Sequence, residues 1–105
     1  MTKIYNEKQQ VTITTRAINR NGAVFTPTNA RYRVDDLDSE EAIVAWTSLT
    51  PSAEMTITIN ATDNAMQNAN SPLETRVVTV ETDAGLATAH PDEYRYKLKN
   101  LKFIT

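Results

Sequence analysis

The sequence predicts an all-β chain folded as one antiparallel sandwich or barrel, and three observations predict it. Apolar residues recur with period 2 in several runs, and alternate side chains of a strand face opposite sides. Sixteen of the 105 residues are threonine, whose branched β-carbon suits a pleated surface. Turn-forming residues separate the runs, and none shows a sustained helical period. A chain of 105 residues is expected to be one domain, 1–105. At that size it buries roughly 65% of its unfolded surface, enough for one core.

Each element follows in order. Residues 1–9 read as a possible N-terminal arm, with 3–5 as a candidate seventh strand. Residues 10–18 put Val11, Ile13 and Ala17 on one face and Thr12, Thr14 and Arg16 on the other. Asn19-Arg20-Asn21-Gly22 is a turn in which Asn-Gly can take positive φ. Pro27 argues against a central strand in the connection after it. Residues 31–34 form a short strand, and the acidic run 35–41 is expected to end it. In 42–48, Val44 and Trp46 lie on one face, Ile43 and Ala45 on the other. Two apolar faces predict an interior strand with Trp46 as a core anchor.

Residues 53–61 alternate most clearly, with Met55, Ile57, Ile59 and Ala61 opposite Glu54, Thr56, Thr58 and Asn60. Residues 62–72 read as a loop with one helical turn near Ala65-Met66. Residues 74–82 return to strand, 83–92 form a loop, and 93–101 alternate Tyr94, Tyr96 and Leu98 with Arg95, Lys97 and Lys99. In the tail 102–105, Phe103 is the one candidate for packing.

Composition narrows the chemistry. There is no cysteine, which removes disulfides, thiolate metal sites and a cysteine nucleophile. Two glycines are too few for a glycine-rich phosphate loop. One histidine cannot build a multi-histidine metal site. A net charge of −2 gives no general pull toward nucleic acid or an anionic membrane. The N-terminal residues lack the apolar core of a signal peptide. No cofactor, metal, nucleic acid or membrane is expected, and the expected compartment is a cytoplasm.

Three local features have a sharper reading that fails on its own terms. Asp36, Asp38 and Glu40 are spaced as alternate calcium ligands. A calcium loop starting at Asp36 needs Gly sixth and Glu twelfth, where this chain has Glu41 and Thr47. The run is read as a solvated turn. Arg95, Lys97, Lys99 and Lys102 lie opposite Tyr94 and Tyr96, so they do not form one stacking groove for single-stranded nucleic acid. His90 precedes Pro91, and none of Ser39, Ser48, Ser52 and Ser71 sits in a Gly-x-Ser-x-Gly elbow. No catalytic residue is assigned and no enzyme activity is expected.

The succession of strand texts carries a resemblance. It runs from Asn-Arg-Asn-Gly at 19–22 and Pro27 through Ala30-Arg31-Tyr32-Arg33-Val34-Asp35-Asp36 and Ile43-Val44-Ala45-Trp46-Thr47. It continues through Thr-Ile-Thr-Ile at 56–59, Asn64-Ala65-Met66, the strand of 74–80, and Glu93 to Leu101. Over about residues 10–101 the chain resembles the small immunoglobulin-like β-sandwich structural proteins of tailed bacteriophages. The resemblance implies a virion component that decorates or cements the capsid, or serves the neck or tail. Its partners would be further copies of itself and a coat or connector protein, met after folding in the host cytoplasm. The pattern contains no invariant motif, so no family residue is carried over. Expected contacts come from termini and loops alone: Thr2, Lys3 and Tyr5, then Met66 and Asn68, then Leu86 and His90. The alternative is a carbohydrate- or cell-surface-binding adhesion module, which needs an aromatic side chain presented to solvent.

Overall fold

The strand runs read from the sequence pair into two sheets in a computed structural model, which describes residues 3–18, 21–68, 70–83, 85–86 and 89–101. Thr2, the Asn19-Arg20 half of the predicted turn and Phe103 lie outside the described residues. The strands are β1 (Lys3–Asn6), β2 (Val11–Arg16), β3 (Ala30–Asp36), β4 (Ala42–Leu49), β5 (Glu54–Ile59), β6 (Leu73–Thr82) and β7 (His90–Lys99). Five form one sheet in the order β1-β7-β6-β3-β4, and β2 and β5 form the other. The chain is all-β, with two sheets arranged as a sandwich. Pairing is antiparallel except between β1 and β7, which run parallel with Lys3 opposite Tyr96 and Asn6 opposite Lys99.

Period 2 builds the core. In β5, Met55, Ile57 and Ile59 are buried while Glu54, Thr56 and Thr58 are exposed. Ile57 and Ile59, with Val11 of the adjoining β2, meet Val34, Val78, Val80, Tyr96 and Leu98 of the facing sheet, while Met55 packs with Ala17 and Ala30. Each fully buried aliphatic side chain contributes about 1.5–3 kcal/mol. Leu98→Ala is therefore expected to destabilise the chain by about 2–5 kcal/mol, with the higher value if the cavity stays open. Urea unfolding followed by circular dichroism measures this. In the described half of the predicted turn Gly22 takes φ +82°, and Ile18 bridges to Val24.

Four local expectations are corrected. Residues 35–36 continue β3, because Asp35 and Asp36 pair with Val77 and Arg76 of β6. The acidic run turns the chain only after them. The predicted interior strand β4 lies at the edge of its sheet, and Trp46 is 39% exposed. The helical turn is a 3-10 turn at Ala61–Asn64, just before the predicted place. Finally, β7 begins at His90 and includes Pro91. β1 covers β7 only from Tyr96 onward, so Pro91 sits on an edge stretch, where a missing N–H is tolerated.

Candidate functional site

The ion cluster at one end of the sandwich comes from the inward phase of β6. Glu74, Arg76, Val78 and Val80 are all buried on that face. Arg76 is fully buried and donates from Nη1 to the Asp63 carbonyl at 3.0 Å and from Nη2 to the Ala65 carbonyl at 2.8 Å. Its Nη2 also pairs with Glu74 at 2.9 Å, and its Nε faces Asp36 Oδ1 at 3.4 Å. Neither of those last two atoms has a hydrogen-bond partner, so their attraction is Coulombic. Glu74 accepts the N–H groups of Gln67 and Asn68 at 2.9 and 2.6 Å. Asp36 accepts the Ser39 N–H and hydroxyl at 3.0 and 2.9 Å. One guanidinium thus ties together the 3-10 turn, the loop after it and the acidic turn.

This settles the geometry of the acidic run. Asp36 is committed to Arg76 and Ser39, while Asp38, Ser39, Glu40 and Glu41 are exposed. Among the described residues, no group of three or more His, Asp or Glu side chains is placed to hold a metal ion.

Beside the cluster, Asn64 is fully buried. Its Nδ2 donates to the Gln9 carbonyl and its Oδ1 accepts the Tyr96 hydroxyl, both at 2.7 Å. Burial is the main influence on the Tyr96 hydroxyl and raises its pKa, against a smaller lowering by Arg76. In the unfolded chain this group ionises near pH ~10. Below that pH its contribution is complete. Above it the unfolded state releases a proton that the folded state keeps, so stability falls as pH rises. Tyr96→Phe is expected to flatten that alkaline slope in urea midpoints taken between about pH 9 and about pH 11.

The sandwich is open along β2. Thr15 Oγ1 lies 2.7 Å from the Tyr94 hydroxyl, which places β2 over β7. Met55 of β5 packs with Ala30 and Leu49 on the β3–β4 side. The outer edge of β2 therefore looks toward β1 and has no strand partner among the described residues. Below it runs a groove of about 410 Å³ lined by Tyr5, Tyr94, Tyr96, Val11 and Ile13, with Lys3 at its margin. From Val11 to Thr15 this edge has no charge, proline or register shift, the features that usually prevent strand addition. By contrast, β4 carries two register shifts.

On the outer face of the larger sheet, the Arg31 guanidinium lies 4.0 Å from the Trp46 ring centre and that of Arg33 lies 5.6 Å away. Glu81 pairs with Arg31 and Asp35 with Arg33. The sequence pattern missed this exposed aromatic because apolar neighbours on both faces resemble a buried strand.

The expected contact residues separate into groups. Lys3 is exposed on β1, and Tyr5 is half-buried against the core, so both border the groove. Met66 packs partly against the core, and Asn68 is exposed while its N–H is held by Glu74. Leu86 and His90 are exposed at the opposite end of β6, where His90 pairs with Thr82. The structure does not bring these groups into one site. Among the described residues, no helix is long and apolar enough to cross a membrane. No family model, curated protein or solved structure matches the chain.

Proposed function

We propose that the chain is a non-enzymatic structural protein that acts through protein–protein contacts. The resemblance in its strand texts makes it a decoration, cement, neck or tail accessory protein of a tailed-phage virion, bound to a coat or connector protein. The open β2 edge above a tyrosine-lined groove carries the contact reading. An extended segment of a neighbouring protein can add as a strand there, with side chains entering the groove.

Mass spectrometry of purified particles tests the virion role. A fixed ratio to the coat protein is expected: high for decoration or cement, low for neck or tail. Absence from clean particles removes this role. The edge is tested separately with Thr12→Lys and Thr14→Lys in one chain. These side chains are exposed, so the thermal midpoint is expected to change little. A charged edge resists strand addition, and particle occupancy is expected to fall about tenfold, ~1.4 kcal/mol. Unchanged occupancy excludes this edge.

The exposure of Trp46 favours one second reading, a carbohydrate-binding adhesion module. An indole flanked by Arg31 and Arg33 offers an apolar face beside polar donors. Its emission is expected to be red-shifted and open to acrylamide quenching. A glycan array probed with the parent chain and Trp46→Ala decides this reading. Binding lost in the variant supports it, and no binding by the parent removes it.

A further inference from the structure

The two-stranded sheet covers only the inner face of the five-stranded sheet. The outer face of β3, β6 and β7 is uncovered among the described residues. Because Val34, Val78 and Tyr96 point inward, alternation puts Arg33 and Asp35, Val77 and Thr79, and Glu93 and Arg95 outward. Register aligns them in two rows: Arg33–Thr79–Glu93, and Asp35–Val77–Arg95. Each row therefore has opposite charges at its two ends, and the order reverses from one row to the next. These four charges, with Asp36 and Glu40 at the β3 end, border a shallow depression of about 290 Å³ floored by Val77, which their side chains leave 8% exposed.

This arrangement is complementary to itself. Rotating a copy by 180° about an axis along β6 places its β3 over β7 and its β7 over β3. Arg33 then faces the partner's Glu93, and Asp35 faces the partner's Arg95. Val77 and Thr79 lie next to the axis and meet their own counterparts. The same rotation brings Lys97 and Lys99 toward the partner's acidic turn. Leu37 continues the row of Thr75 and Lys97, since its N–H donates to the Thr75 carbonyl at 2.9 Å. That turn includes the exposed Asp38.

We infer that this face docks a second copy of the chain, face to face about a two-fold axis along β6. An axis parallel to the strands also gives the aligned packing of stacked sheets. An isologous contact needs one surface to supply both halves of every pair, and this one does. A partner of different sequence would have to present the same alternation of four charges independently. Within each chain the pairs Arg33–Asp35 and Glu93–Arg95, both at 2.7 Å, hold the charged groups in place. This inference builds on the contact role proposed above and names one partner for it.

Charge swaps test it in the full chain by sedimentation equilibrium. One variant carries R33E and D35R, another E93R and R95E, and each keeps its in-strand ion pair and net charge. Each swap alone places like charges across the axis, so its self-association is expected to weaken at least about tenfold. An equimolar mixture of the two is expected to recover association, because each then complements the other. The parent dimer is also expected to weaken as salt rises. The inference is overturned by a parent that stays monomeric at about 0.5 mM, well above the Kd of a weak but specific contact. Swaps that dimerise as tightly as the parent, or a mixture that gains nothing, also overturn it. A monomeric parent that still binds particles removes only the dimer and leaves the contact role intact.

Discussion

Arg76→Met is expected to destabilise the chain by about 3–5 kcal/mol, the usual cost of removing one partner from a buried ion cluster. Domains of this size are stable by about 5–15 kcal/mol in total, so the loss takes a large share. The methionine would fill much of the volume but donate nothing. Asp36 and Glu74 would remain almost wholly buried without their guanidinium. The Asp63 and Ala65 carbonyls would lose their donors as well. Arg76→Lys is expected to fall between, since an ammonium restores charge but lacks the planar fork that reaches separate partners. Adding Glu74→Gln to Arg76→Met is expected to cost less than the sum of the two single losses. Groups in one network couple in this way. Urea midpoints for the four chains measure the coupling, and strict additivity would falsify the network.

Asn64→Ala is expected to cost about 1–3 kcal/mol, because the buried Tyr96 hydroxyl is left without its acceptor. The Gln9 carbonyl would lose its donor and the Tyr96 hydroxyl its acceptor. The backbone bond from Lys8 N–H to the Asn64 carbonyl, at 2.8 Å, is available to both chains. The damage is therefore expected to centre on the side chain's two contacts rather than to release the whole turn. Combining Asn64→Ala with Tyr96→Phe removes one unmatched group, so the double variant is expected to be more stable than additivity predicts. Thermal unfolding of the two singles and the double measures this. An additive result would place the cost in packing instead.

Both predictions concern groups that alternation alone could not assign. Arg76 is in phase with Val78 and Val80, but Val77 is also apolar, so either face of 74–82 could have been the buried one. Its burial depends on carbonyls at 63 and 65 and a carboxylate at 36, brought together only by folding. The acidic run read as a solvated turn is a turn from Leu37 onward, while Asp36 serves the interior. Trp46 shows the reverse case, since apolar neighbours on both faces do not reveal how many strands flank a strand. As the last strand of its sheet, β4 leaves the indole in solvent beside two guanidinium groups.

The strand class, the period-2 choice of core residues in β5 and β7, and the positive φ at Gly22 were legible in the residues alone. These follow from local sterics and side-chain alternation, which each strand carries within its own few residues. That β1 joins β7 in parallel, that β4 is an edge and that β2 is left open emerged only on folding. Those outcomes depend on which strands pair and on how much of the larger sheet two strands can cover. They are properties of distant contacts, and the candidate contact surfaces exist only where those contacts end.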